Sequence, residues 1–353
     1  MKRIALSIFV LMLSVSFAMA QSKDNTATVN QTNDNNTANI NQTGATLNTN
    51  VVQNGNNGTA NITQLSASNN VIEQNALINQ ISGKGNFADI KQTQSGTGTT
   101  PTPDLAKIVQ QGNTNIAKIS QIAPLYSSGQ TSKAFQYGNG NKSYQTIESG
   151  YTINQQYVNQ NGISNYAKQT TYSGGHQDAS IMQNGIDNDA RQSITGTNIH
   201  AYITQDPGNN NTAKQTFTGG SLSEPYNTGI IAQAGNGNKA YQTLEFGLYG
   251  DGSNFTQPGY AKIVQNGDGN YALQTMDGGL NNSAIINQTD NNNTAKQWQV
   301  GDNNNAKIIQ TGSNNEAYQH QYGHALGTGL HQSGIIVQNG NSNVVYMTQQ
   351  TTN

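Results

Sequence analysis

The chain has 353 residues, of which 53 are Asn and 39 are Gln, while charged residues make up 10%, apolar residues 33%, and Cys is absent. Without Cys there is no disulfide framework and no thiolate-held zinc or iron–sulfur site. A formal charge of −2 with no basic block excludes a phosphate-tracking surface for nucleic acid and a polybasic membrane anchor.

Residues 1–20 open with Lys2-Arg3, run apolar from Ile4 to Phe17 and finish Ala18-Met19-Ala20 before Gln21. These are the n-, h- and c-regions of a secretory signal peptide, and the run is shorter than the roughly 20 residues a membrane span needs. The expectation is a chain exported from the cytoplasm, with a mature form that starts near Gln21 and carries no membrane span. Loss of Lys2 and Arg3 leaves 14 basic against 18 acidic residues, a balance of −4. A short segment, residues 21–26, follows.

From residue 27 to residue 349 one frame recurs thirteen times. Its type unit is Ala261-Lys-Ile263-Val-Gln265-Asn-Gly267-Asp-Gly-Asn270-Tyr-Ala272-Leu-Gln274. The first-arm glutamines are Gln31, Gln53, Gln80, Gln110, Gln136, Gln160, Gln183, Gln205, Gln233, Gln265, Gln288, Gln310 and Gln338, spaced 22–23 residues apart in the compact copies. Five or six residues later stands an Asn in twelve units: Asn36, Asn86, Asn115, Asn141, Asn165, Asn188, Asn211, Asn238, Asn270, Asn293, Asn315 and Asn343. Gly58 is the exception. Two residues before each Gln the side chain is apolar, and two after each Asn it is Ala, save Ser143 and Val345. Recurrence at every second residue predicts strands with one face inward, and each unit then reads as two strands and two turns.

The second arm changes along the chain. In the first four units it runs Ala-x-Ile-x-Gln, as at Ala38-Ile40-Gln42 and Ala117-Ile119-Gln121; from the fifth to the twelfth the Gln comes first, as at Ala240-Gln242-Leu244. The inward polar and apolar columns are expected to exchange places there. The thirteenth unit, with Val345, Met347 and Gln349, fits neither order.

Burying an amide without partners costs on the order of 1–3 kcal/mol, so thirteen inward glutamines are tolerable only as a column. Units stacked in register about 4.8 Å apart let each amide donate to one neighbour and accept from the other. The fold expected is therefore all-β: a two-sheet β-solenoid of thirteen stacked strand-turn-strand units with amyloid-like inward Gln and Asn ladders, about 60 Å long. Gly two residues after the Gln in nine units supplies a left-handed turn. Long connections, such as Ser95 to Asp104 with Pro101 and Pro103, or Glu245 to Tyr260, fall at the opposite edge. Residues 350–353 form a short tail. No capping helix is evident at either end, and Pro is absent from every arm, so both ends are expected to pair with further copies into an open filament.

The unit Gln-x-Gly-x-x-Asn-x-Ala with its paired glutamines resembles the curlin repeat, the building block of curli, the extracellular functional amyloid of bacteria. The resemblance spans residues 27–349. It implies a secreted, non-enzymatic fibre subunit of the biofilm matrix, acting in adhesion and aggregation and located on the bacterial surface. The partners it implies are identical subunits head to tail, a nucleator or major subunit, an outer-membrane secretion pore and periplasmic accessory proteins. Ala at the start of the first arm is more like the nucleator's repeats than the major subunit's Ser, and both roles remain open. No cofactor is expected. His320, His324 and His331 as a metal site, and the turn residues Asp34, Asp268, Asp290 and Asp302 as calcium ligands, lack the ligand density such sites need. Outward Lys107, Lys168, Lys214, Lys262, Lys296 and Lys307, with Tyr144, Tyr241 and Tyr318, read as a solvated face that limits edge aggregation. The alternatives are a monomeric secreted adhesin or ice-binding solenoid, and a polysaccharide-active β-helix enzyme, for which carboxylates are sparse.

Overall fold

The computed structural model describes residues 25–66, 73–95, 103–123, 129–148, 153–172, 174–219, 226–245, 259–278, 281–323 and 332–350. The expected signal peptide, most of the long connections, and His324 and His331 lie outside them. The described residues form twenty-six strands and no helix. Odd-numbered strands, from β1 (Thr26–Gln31) to β25 (Gln332–Asn339), make one thirteen-stranded sheet. Even-numbered strands, from β2 (Thr37–Thr43) to β26 (Val344–Gln350), make a second. One odd strand and the even strand after it constitute a rung, numbered 1 to 13 along the chain. Strands extend one residue beyond 27–349 at each end.

Every pairing is parallel and links a strand to the equivalent strand of the next rung. Register is kept residue by residue: Val29 pairs with Val51 and Gln31 with Gln53, then Val51 with Ile78 and Gln53 with Gln80. The third unit has one extra residue between its Gln and Asn, and the pairing absorbs it as a shift between Gln80 and Ser82. Thr, Val, Ile and Tyr suit the pleated surface, and the two-residue alternation is visible as strict burial alternation, for instance along Leu47–Gln53.

The core is a thin slab between the sheets. Ile and Val of the first sheet face the Ala column of the second in one continuous cluster from Val158 to Ile336, and in another from Val51 to Ala134. A third cluster, around Ile194, Phe217, Leu244 and Met276, fills the space on the other side of the second-sheet glutamines. Where Phe217 intrudes, the facing Ala column has a gap: Gly229 stands between Ala201 and Ala261, and a Cβ there would strike the tip of the Phe217 ring. Volume is thus conserved across the slab.

Candidate functional site: amide ladders and end rungs

The first-arm glutamines form one unbroken hydrogen-bonded chain. Gln31 Nε2 donates to Gln53 Oε1 at 2.6 Å, and the pattern repeats through Gln80, Gln110, Gln136, Gln160, Gln183, Gln205, Gln233, Gln265, Gln288 and Gln310 to Gln338 at 2.8–2.9 Å. All but Gln31, at the end of the stack, are buried. The second Nε2 hydrogen crosses the slab, as from Gln136 to the Ile116 carbonyl at 2.9 Å and from Gln160 to that of Lys142 at 3.0 Å. The column therefore satisfies itself along the stack and ties the two sheets together.

The second-sheet column is interrupted where the arm order changes. Gln42, Gln64, Gln92 and Gln121 form one ladder. In the next rung Gln145 pairs with Ile119 and Ile147 with Gln121, so Gln121 turns instead to the carbonyls of Leu105 and Gln130. A new ladder then runs from Gln145 through Gln169, Gln192, Gln215, Gln242, Gln274 and Gln297 to Gln319. Rungs 11 and 12 carry glutamine at both positions, and Gln299, Gln321 and Gln349 form a third ladder at the position of the first. Rung 13, which fitted neither order, pairs in full register with rung 12. Its Met347 and Gln349 restore the order of rungs 1 to 4. The first amide of each new ladder, Gln145 and Gln299, has a buried Oε1 without a hydrogen-bond donor among the described residues, a cost of about 1–3 kcal/mol for each change.

The asparagine column is a ladder as well, closed mainly through the backbone, with direct amide-to-amide bonds from Asn165 to Asn141 at 3.1 Å and from Asn343 to Asn315 at 3.0 Å. Each Asn Oδ1 accepts the backbone N–H of the Asn in the next rung, as from Asn115 to Asn86 at 3.0 Å and from Asn270 to Asn238 at 2.9 Å. Its Nδ2 donates to the carbonyl of the next rung's turn, as from Asn115 to Gly138 at 2.8 Å. With one methylene less than Gln, the side chain stays in the corner and braces the turn. Gly58 interrupts the column, although its N–H still reaches Asn36 Oδ1 at 2.9 Å. A further ladder runs along the exposed part of the same turn. Asn209 N–H donates to Asn236 Oδ1, Asn236 to Asp268, Asp268 to Asn291, and Ser313 to Asn341. Here Asp268 is an acceptor for backbone, and Asp290 does the same for the Gly312 N–H.

Eight of the nine turn glycines sit with positive φ, Gly55 being the exception; φ is +103° at Gly112 and +105° at Gly138, and a Cβ on either would collide with the next glycine's carbonyl oxygen. A second left-handed residue, missed in the sequence, directly precedes every asparagine or its equivalent: Asn35, Asn57, Gly85, Thr114, Gly140, Ser164, Asp187, Asn210, Gly237, Gly269, Asn292, Asn314 and Ser342. The signal was there, since this position holds only Gly, Asn, Asp, Ser or Thr, mostly types that tolerate φ above zero.

Sequence reading also passed over an inward polar position at the start of the odd strands, occupied by Gln74, Asp104, Gln130, Asn154 and Gln177, all buried. Asp104 is the one carboxylate among these. Burial pushes its pKa up to about 7, against hydrogen bonds from the backbone N–H groups of Gln130 and Gly129 that pull the other way.

On the outer face, His320 sits between Trp298 and Tyr322, with ring centroids 5.8 and 6.3 Å away. Lys296 lies over Tyr271 and Tyr318. Among the described residues no three His, Cys, Asp or Glu side chains gather into a group that could hold a metal, and no helix is long and apolar enough to cross a membrane. At the two ends of the stack, the inward residues Gln31, Asn36, Ile40 and Gln42 of rung 1, and Asn343, Val345, Met347 and Gln349 of rung 13, are only half-buried. No further strand pairs with β1, β2, β25 or β26 among the described residues. No family model matches the chain, and no curated protein does.

Proposed function

We propose that the chain is a secreted structural subunit that elongates into extracellular fibres by head-to-tail addition of copies at the ends of the stack, in the manner of the curlin-repeat subunits its units resemble. One observation carries this reading: a Gln ladder of twelve successive hydrogen bonds that ends at Gln31 and Gln338 with no further glutamine to continue it among the described residues. An open strand edge with unpaired backbone groups is a template for another chain, and a heterologous contact that does not close gives a filament. Inward amides whose side-chain partners are the amides of neighbouring rungs gain from each added rung. Export follows from the signal-like residues 1–20, and matrix, adhesion and aggregation roles follow from the resemblance, as do a nucleating partner, a secretion pore and its accessory proteins. The chain is proposed to act as a material, not as an enzyme.

The test dilutes the denatured chain, residues 21–353, into buffer and follows amyloid-dye signal, response to preformed seeds and electron microscopy. The expected result is a lag that seeds abolish, with unbranched fibres. A stable monomer that neither fibrillises nor responds to seeds would be the alternative, a monomeric adhesin or ice-binding solenoid, and would remove the proposal.

A further inference from the structure

We infer that rungs 11 and 12 are an adapter that returns the second-sheet amide column to the position it holds in rung 1, so that rung 13 of one copy docks in register on rung 1 of another. This rests on the fibre reading and specifies which surfaces meet and how. After the change at rung 5, the second sheet carries Gln first and, save for Thr171 in rung 6, an apolar residue second, through Gln274 and Met276. Nothing among the described residues of the stack requires that order to end. It ends nevertheless, through two rungs with glutamine at both positions, Gln297 with Gln299 and Gln319 with Gln321. The change leaves Gln299 Oε1 without a donor among the described residues. Gly334 also stands where Ala306 stands one rung earlier, and a Cβ there would crowd Gln319 Nε2 and Gln349 Oε1.

The return is intelligible at the ends. Rung 13 presents Val345, Met347 and Gln349, and rung 1 presents Ala38, Ile40 and Gln42, in the same order. Continuing the pattern of the interior, Gln338 Nε2 would donate to Gln31 Oε1 and Gln349 Nε2 to Gln42 Oε1 of the next copy. The Asn36 N–H would donate to Asn343 Oδ1, as each interior asparagine does to the one before it. The Asn341 N–H would meet the Asp34 carboxylate, extending the exposed turn ladder in its own direction. Ile336 would cover Val29, and Met347 would cover Ile40. A stack ending at rung 10 would instead set Gln274 on Ile40 and Met276 on Gln42. Two rung-1 faces would oppose acceptor to acceptor, since every Gln Nε2 in these ladders points toward the C-terminal rung.

The experiment compares seeded elongation of the full chain with that of the double variant Met347→Gln plus Gln349→Met. This exchange moves the rung-13 amide from over Gln321 to over Gln319, so that one amide pair replaces another inside the subunit, but presents the wrong order to rung 1. Elongation is expected to fall about tenfold or more, the consequence of an unpaired buried amide at each junction. Adding Ile40→Gln to the double variant places an amide at both second-sheet positions of rung 1, and is expected to bring elongation back toward the wild-type rate. Elongation of the double variant at the wild-type rate, or no recovery with Ile40→Gln, overturns the adapter and leaves the fibre reading standing. Failure of the unaltered chain to form fibres overturns the fibre reading itself.

Discussion

Gln145 lies in register over Ile119, not over Gln121, although both glutamines belong to second arms of adjacent rungs. The displacement leaves Gln145 Oε1 without a donor among the described residues. Replacing Ile119 by Gln would make rung 4 resemble rungs 11 and 12 and supply that donor. Ile119→Gln is therefore expected to cost less than about 1 kcal/mol, whereas Ile62→Gln, inside an apolar column with Ile40 and Ile90 as neighbours, should cost about 2 kcal/mol or more. Paired denaturant titrations decide it, and equal losses for the two variants would contradict the account.

The first-sheet ladder predicts a cost for any interior break. Gln265→Leu orphans Gln233 Nε2 below it and Gln288 Oε1 above it. At about 1–3 kcal/mol for each buried unpaired group, the loss should be roughly 2–4 kcal/mol, larger than for a single surface substitution. Gln265→Leu together with Gln288→Leu should be less than additive, since the second removes one orphan made by the first.

Turn geometry separates two substitutions of similar size. Gly138→Ala places a methyl against the Gly162 carbonyl oxygen at a φ of +105°. Local separation of rungs 5 and 6 should follow, with a loss above about 2 kcal/mol. Thr114→Gly, at φ +53° with an exposed side chain, should be neutral or stabilising by up to about 1 kcal/mol. Thermal melts of the two variants are the measurement.

Asp104 makes stability depend on pH. Its pKa is raised from 3.8 to about 7 in the fold, chiefly by burial. The folded chain therefore holds this proton more tightly than the unfolded one. The associated stability is fully present below about pH 4, declines as pH rises, and is gone above about pH 7. The stack should be less stable at pH 8 than at pH 4 by an amount of order 3–4 kcal/mol from this group. Asp104→Asn should flatten that part of the profile and stabilise the chain at pH 8. A wild-type profile that rises between pH 4 and 8 would contradict the assignment.

Much of this architecture was legible because a stack makes each inward position answer to the same position one rung away. Gln265 and Gln288, Ile263 and Ile286, Ala272 and Ala295 repeat since a change in one leaves a hole or an orphan in the next. The exchange of columns at Gln145 was legible for the same reason. The bonding of Asn270 was not, because spacing shows that a residue is inward without showing whether its amide reaches another side chain or a backbone N–H. The buried polar position of Gln74, Asp104 and Asn154 was obscured by the connections before it, whose lengths vary and remove any fixed spacing. Phe217 and Gly229 form a compensation across two sheets, 12 residues apart in a chain whose repeat exceeds 20, and such pairs leave no periodic trace.

The uniform direction of the Gln ladders has a consequence at the scale of the whole rod. Each amide in the first-sheet column is oriented like the one before it, so thirteen side-chain dipoles add along the axis, each polarised by its neighbours. One extremity of the rod offers carbonyl oxygens and the other amide hydrogens. A polymer of such rods has two chemically unlike tips, and a monomer arriving at one tip makes its first bonds with a different half of its amides from a monomer arriving at the other. Growth at the two tips is then expected at unequal rates, as an intrinsic vectorial property of the column.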